Sequence, residues 1–309
     1  MESAYLNLST TRKSSTLSLP VWALLTSAVC LAFSAGFAGA QSGKAANKAP
    51  EQKLENMDPK KFDRPAIIDN KYMPMKPGTR YTYVGTTVED DGKVVPHSIV
   101  INITDLTKVI GGVRNLVSYD LDYTDNELVE AELAFFAQDN EGTVWHFGQY
   151  PEEYEDKKLI KAPAWLHGIE GARAGIAMKA KPQLGTPSYS QGWGPAVGWT
   201  DRGQTFKMGE KTTVKAGSYT DVLVIKETSK EETVDAFQLK YYAPGVGNVR
   251  VGWGGTKEKT KETLELTKVE QLNPKELAEV RAKALALEKS AYKVSKKVYG
   301  LTPPMEQTK

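Results

Sequence analysis

The chain has 309 residues, of which 40% are hydrophobic, so it is long enough to bury a core of its own. Its formal net charge is +2 at pH 7. A chain this close to neutral has no bulk attraction to nucleic acid or to anionic membranes, so we expect neither as a partner. Its only cysteine is Cys30, which excludes a disulfide within the chain and any cysteine-rich metal site.

The first forty residues have the three parts of a secretory signal peptide. Arg12 and Lys13 precede an apolar run at residues 20–33, and small residues follow at positions 38–40. The apolar run has about 14 residues, whereas a membrane-spanning helix needs roughly 20. We therefore predict cleavage after about residue 40, no stable membrane insertion, and a periplasmic or secreted protein. A lipoprotein is the weaker interpretation, because Cys30 lies inside the apolar run rather than after it.

Composition divides the remainder of the chain into three parts. Residues 41–70 are rich in Lys, Ala, Asn, Glu and Pro, which predicts a disordered polar leader. A β-rich domain is expected over residues 71–270, and a helix and tail over residues 271–309.

Apolar and polar residues alternate over residues 99–103, 119–123 and 129–135. This is the period of a strand with one face in the core and a wetter opposite face. Turn-forming residues stand between these segments, at positions 111–112 and 125–126. The pattern predicts a mainly β fold, in the form of a curved antiparallel sheet or open half-barrel with one long C-terminal helix.

One predicted hairpin brings acidic residues together. With a three-residue loop at positions 125–127, Asp120 faces Glu132 and Asp122 faces Glu130. Like charges directly opposite each other are unfavourable, so a cation is expected nearby. It is either a Lys or Arg of neighbouring strands or a bound Ca²⁺ with its oxygen ligands.

The C-terminal helix has clear boundary signals. Asn273 is a good N-cap, Pro274 suits the first helical position, Glu276 completes a capping box, and Gly300 ends the helix. The apolar seam of this helix consists of Leu277, Val280, Ala284, Leu287, Ala291, Val294 and Val298. The seam either packs on the sheet of the same chain or forms a homodimer as a coiled coil.

Three segments are similar to a family of uncharacterised bacterial exported proteins: residues 136–148 (FAQDNEGTVWHFG), 182–185 (PQLG) and 242–247 (YAPGVG). The resemblance covers about residues 77–270. The chain also resembles half-barrel domains of the lipoprotein-carrier type, in which a curved antiparallel sheet wraps an apolar hollow. These resemblances imply export and the fold, and they imply no activity.

The histidines and serines form no recognisable catalytic or metal-binding motif. His97, His146 and His167 do not share a metal-ligand spacing, and no serine lies in a nucleophile motif. The position of His146 is aromatic in the family that the chain resembles, which argues against a chemical role for it. We therefore expect no metal and no cofactor. His167, in a glycine-containing loop, is the best catalytic candidate, so an exported hydrolase using His167 with nearby carboxylates is an alternative function.

Several aromatic residues are candidates for a ligand site. Trp193, Trp199 and Trp253 each follow a glycine, which leaves one face of the indole uncovered by its neighbours. Such rings line apolar or sugar-stacking surfaces, although they can also simply fill a core. The predicted ligand-binding residues are Trp165, Trp193, Trp199, Trp253, Tyr189 and Tyr242.

These observations favour an exported, non-catalytic binding protein. We predict that it holds an apolar or lipid-like small molecule on an aromatic, concave face of the sheet. The two alternatives are the hydrolase that uses His167 and an assembly protein that dimerises through the C-terminal helix.

Overall fold

The computed structural model describes residues 53–229 and 235–308. The predicted signal peptide, residues 1–40, lies outside the described residues. Within these ranges, no helix combines the length and the apolar character that crossing a membrane requires.

The described residues form sixteen strands, a 3₁₀ turn at Pro59–Lys61 and two helices. The strands are β1 (Thr79–Val88), β2 (Val94–Ile110), β3 (Val113–Thr124), β4 (Glu127–Gln138), β5 (Val144–Glu155), β6 (Lys158–Lys161), β7 (Trp165–Leu166), β8 (Arg173–Met178), β9 (Tyr189–Ser190), β10 (Gly192–Trp193), β11 (Arg202–Val214), β12 (Gly217–Thr228), β13 (Phe237–Ala243), β14 (Gly247–Gly254), β15 (Thr263–Gln271) and β16 (Glu306–Gln307). The helices are α1 (Pro274–Val294) and α2 (Lys296–Tyr299).

All sixteen strands belong to one antiparallel sheet. Its order is β10-β8-β5-β4-β3-β2-β1-β15-β14-β13-β12-β11-β9, with β6 and β7 paired to β5 and β16 paired to β2. Strands β1 to β5 and β11 to β15 are two meanders, joined where β1 pairs with β15. The predicted fold class, a mainly antiparallel sheet with one long C-terminal helix, is confirmed.

The sheet curls until its two edges lie side by side. Tyr189 of β9 pairs with β11 at one end of the sheet, and Gly192 of β10 pairs with β8 at the other. Only two residues separate Tyr189 from Gly192 in the chain. Strands β9 and β10 nevertheless do not pair with each other, so the sheet stays open. A Cβ atom at Gly175 of β8 would lie 2.1 Å from the Gly192 amide nitrogen, so only glycine permits this approach.

The β3–β4 hairpin is covered on both faces. Tyr119, Leu133 and Phe135 point to one side and share a core cluster with Val280 and Leu287 of α1. The alternate residues point to the other side, toward the second half of the curled sheet. The expectation that this second face is wetter is wrong, because Glu130 and Glu132 are only 4% and 7% exposed.

Helix α1 begins with the predicted capping box. The Asn273 side chain accepts hydrogen bonds from the backbone N–H groups of Lys275 and Glu276, both at 3.0 Å, and Glu276 accepts one from the Asn273 N–H at 2.9 Å. The helix ends at Val294, one turn earlier than predicted, and α2 continues to Gly300.

The apolar seam of the helix packs on the sheet of its own chain. This was one of the two arrangements expected from the sequence, the other being a coiled-coil homodimer. Val280, Ala284, Leu287 and Ala291 are buried there, whereas Val294 is exposed. A homodimer through the same seam would have to displace this packing.

The N-cap supplies a stability prediction. We expect Asn273→Ala to lower the free energy of unfolding by about 1 kcal/mol, because two N–H groups of the first turn lose their acceptor. Urea denaturation measures this loss. Lys275→Ala, an exposed change in the same turn, serves as the control. Equal stabilities for the two variants would contradict the assignment of the cap.

Part of the predicted leader is ordered against the domain. Phe62 packs edge-on to Phe147 with ring centroids 5.7 Å apart, and Ile68 is buried. The Asn70 side chain donates a hydrogen bond to the Gly142 carbonyl at 2.8 Å. The disorder predicted for residues 41–70 therefore does not hold for residues 53–70. The segment is polar on average, but a few of its residues are apolar, and these pack on the sheet.

Candidate binding cavity

A cavity of about 200 Å³ lies inside the curl of the sheet. Strands from both meanders contribute to it, β1 to β5 on one side and β12 and β13 on the other. Its apolar lining is formed by Met73, Met75, Tyr81, Tyr83, Ile99, Ile101, Ile103, Phe136, Trp199 and Tyr242. A concave, mainly apolar cavity with a few polar groups is typical of a small-molecule site.

The hairpin carboxyl groups form one wall of this cavity. Asp120 pairs with Glu132, and Asp122 pairs with Glu130, which confirms the predicted register. All four residues line the cavity. We call these four residues the carboxylate wall.

Burial changes the acidity of this wall. Asp120 lies opposite Ile101 of β2, and the Ser118 hydroxyl donates a 2.5 Å hydrogen bond to it. Burial raises the pKa of Asp120 to about 7. Burial, together with the nearby charge of Asp120, raises the pKa of Glu132 to about 8. Both carboxyl groups therefore hold a proton over part of the neutral range.

Lys240 of β13 supplies a positive charge from the other meander. It lines the cavity and forms an ion pair with Glu227 of β12, which also accepts a 2.7 Å hydrogen bond from Gln191. A lysine of a neighbouring strand therefore lies at the cavity, but its ion pair is with Glu227 and not with a carboxyl group of the wall. Among residues 53–229 and 235–308, no group of three or more His, Cys, Asp or Glu is arranged to hold a metal ion.

His97 of β2 joins the carboxylate wall to a further buried acid. Its Nε2 lies 3.1 Å from Asp122 Oδ1 and 3.6 Å from Glu262 Oε1. Burial lowers the pKa of His97, but the adjacent Asp122 and Glu262 carboxylates more than offset this, so that the pKa is raised. Burial raises the pKa of Glu262 to about 7, and Gln238 donates a 2.5 Å hydrogen bond to it.

His146 behaves as an aromatic ring within the cavity lining. It stacks on Phe136 at 4.9 Å between ring centroids and meets the edges of Trp165 and Trp199 at 5.0 and 5.8 Å. Burial lowers its pKa to about 4, so the ring is neutral at pH 7.

The structure brings some of the predicted ligand-binding residues together. Trp199 and Tyr242 line the cavity, and Trp165 stacks on Trp199 with centroids 5.8 Å apart. Tyr189 is buried beside Gly203 of β11. Trp199 follows a glycine, but a preceding glycine does not determine the direction in which an indole points. Four of the six predicted residues do not line the cavity: Trp165, Trp193, Trp253 and Tyr189.

Trp193 and Trp253 are two of these four residues. Trp193 lies half-buried at the sheet edge on β10. Trp253 lies near the end of β14, is 37% exposed, and has the Lys261 ammonium 5.5 Å from its ring centroid. Trp253 is therefore a natural control for experiments on the cavity.

The contacts of His167 are those of a residue with a structural role. Its Nδ1 accepts a 3.0 Å hydrogen bond from the Ala174 N–H, and its ring packs edge-on to Phe147. Burial and the charge of Arg173 lower its pKa. Among the residues that the structure describes, His167 forms no ion pair with a carboxylate. The arrangement does not favour the hydrolase alternative.

The sequence interpretation missed Glu227 and Lys240 as cavity residues. The available signal was a lysine in an otherwise apolar strand, Leu239-Lys240-Tyr241-Tyr242. A charged residue in such a strand needs a buried partner, which identifies it as part of a polar network.

No protein family model matches the sequence, and no curated protein matches it. Solved structures that are similar include the following two. One is a protein of Bacteroides fragilis that is thought to be exported and has a YmcC-like fold, and the other is a protein of Parabacteroides distasonis thought to be a lipoprotein. Each is 12% identical, has a TM-score of 0.35, and aligns with 65% of this chain and 99% of the other chain. A likeness this distant assigns no function to the chain.

Proposed function

We propose that the protein is an exported, non-catalytic binding protein that holds a small amphipathic molecule in the interior cavity. The observation that supports this proposal is the lining, which combines apolar and aromatic residues with the adjacent carboxylate wall. Export is inferred from the signal-peptide pattern of residues 1–40.

The apolar side of the cavity suits a hydrocarbon or lipid-like body. Ile99, Ile101 and Ile103 project from successive inward positions of β2, next to Tyr81 and Tyr83 of β1. Each methylene buried against such a surface gains about 0.8 kcal/mol. A cavity of about 200 Å³ suits a short chain, so n-octanol is an appropriate first probe.

Tryptophan fluorescence tests this proposal. We expect n-octanol to change the emission of the wild-type protein, because Trp199 lies in the cavity lining. The change should be lost in Trp199→Phe and retained in Trp253→Phe, which alters an exposed ring away from the cavity. A flat titration of the wild-type protein with n-octanol and other short apolar ligands would contradict the proposal.

A further inference from the structure

We infer that the cavity selects ligands with a protonated amine, which docks at the carboxylate wall while the apolar body lies against the isoleucines of β2. This inference depends on the proposed function and deepens it by naming the class of ligand.

The first argument is the balance of charge around the wall. Its four carboxyl groups come from adjacent strands and face the same cavity. Lys240 is already paired with Glu227, and His97 lies between Asp122 and Glu262. Seven carboxyl groups lie at or next to the cavity, against three basic groups. The acids are Asp120, Asp122, Glu130, Glu132, Asp201, Glu227 and Glu262, and the bases are Lys240, His97 and His146.

The second argument is independent of this charge and concerns a buried polar atom. Asp122 Oδ2 is buried and has no hydrogen-bond partner among the described residues, and Asp122 lines the cavity. The residue is 5% exposed. A buried polar atom without a partner is costly, so it is suited to meet a group that the protein itself does not provide.

An ammonium group fits Asp122 Oδ2 and the carboxyl groups beside it because it has three donors and no acceptor. The neutral His146 ring adds no competing positive charge. Ile99 lies directly opposite Asp122, and Ile101 lies opposite Asp120. The carbon atoms of the ligand next to its ammonium group would therefore contact these isoleucine side chains. This neighbourhood suits an organic cation better than a hydrated metal ion. An anionic ligand would be repelled by the same wall.

Binding of the amine should release protons. Asp120 and Glu132 hold protons near neutral pH when the cavity has no ligand, because burial raises their pKa values. A nearby ammonium favours their ionised forms, so protons leave for the solvent when the ligand binds.

Calorimetric titration at pH 7 with n-octylamine, n-octanol and octanoate tests the inference. We expect octylamine to bind at least about ten-fold more tightly than octanol, and octanoate to bind most weakly. The heat of octylamine binding should differ between buffers of different ionisation enthalpy, because protons are released. Equal affinities for octylamine and octanol would overturn the inference and leave the proposed function intact. If none of the three ligands binds, the proposed function fails as well.

Variants of the wall give a second measurement. Asp122→Asn should weaken octylamine binding at least about ten-fold and leave octanol binding unchanged. Glu265→Gln, which removes an exposed carboxylate of β15 that is not part of the cavity lining, is the matched control. If Asp122→Asn does not fold, Glu132→Gln takes its place, since an amide resembles the protonated carboxyl group already there. An unchanged ratio of octylamine to octanol affinity in the wall variant would overturn the inference.

Discussion

Lys108→Met is expected to lower the free energy of unfolding by about 3–5 kcal/mol, because it leaves a buried carboxylate without its cation. Lys108 of β2 is 1% exposed, and its ammonium lies 2.8 Å from Glu288 Oε1 of α1. It also donates a 2.7 Å hydrogen bond to the Pro303 carbonyl and lies 4.5 Å from the Tyr299 ring centroid. One ammonium therefore joins the sheet, the long helix and the C-terminal tail.

Urea denaturation with a matched exposed pair tests this expectation. Lys61→Met breaks the Lys61–Glu141 ion pair, which has the same 2.8 Å distance but exposed side chains, and should change the stability far less than Lys108→Met because solvent screens the pair. The double variant Lys108→Met/Glu288→Met should recover part of the loss, since no buried charge remains. Full recovery is not expected, because Glu288 also accepts a hydrogen bond from the Met305 N–H. A loss for Lys108→Met no larger than for Lys61→Met would contradict the assignment.

The protein should also become less stable between pH 6.5 and pH 8.5, by on the order of 3 kcal/mol. In the unfolded chain, carboxyl groups are ionised throughout this window. In the folded protein, Asp120 and Glu262, each with a pKa of about 7, and Glu132, with a pKa of about 8, still hold protons at pH 6.5. The folded state therefore binds more protons, and its stability is lost as the pH rises through these folded pKa values.

The two buried histidines explain why the pH window begins at pH 6.5. The raised pKa of His97 acts in the same direction as the acids, because its stabilising protonation is also lost as the pH rises. His146, with a pKa lowered to about 4, acts in the opposite direction, but mainly below pH 6.5, because the unfolded histidine loses most of its proton as the pH rises past that value.

Denaturation at several pH values across the window measures the effect. Glu132→Gln should reduce the pH dependence by about half, because the amide has no proton to lose and Glu132 has the highest of the three pKa values. The exposed variant Glu265→Gln should keep the full dependence. Stability that is constant or rises from pH 6.5 to pH 8.5 would show that the wall is not buried.

Features set by neighbouring residues could be predicted from the sequence. The capping box at Asn273 depends only on residues within four positions of the chain, Asn273 to Glu276. The hairpin register depends on its turn, although the turn itself differs from the prediction. Asp125 and Asn126 form a two-residue turn with φ of 47° and 67°, and a bulge after Asp122 inserts the additional residue. The pairing of Asp120 with Glu132 is therefore the same as for a three-residue loop.

The location of the polar face could not be predicted in this way. Alternation shows that Asp120 and Glu132 share a face, but it does not show whether that face meets water. The face is interior because β1 pairs with β15, nearly two hundred residues later, and the sheet then curls until Lys240 lies across from the hairpin. Similarly, glycine neighbours do not distinguish Trp199, in the cavity lining, from the exposed Trp253.

Filling the cavity tests most directly whether it is the binding site. Ala134 is 4% exposed and lies on the inward face of β4, between Glu132 and Phe136 in the cavity lining. Ala134→Phe should occupy the space and abolish n-octanol binding, with Ala177→Leu as a second filling variant should the first not fold. Val84→Phe, at a residue 50% exposed on β1, should bind like the wild-type protein. Wild-type affinity in a folded, cavity-filled variant would contradict the account.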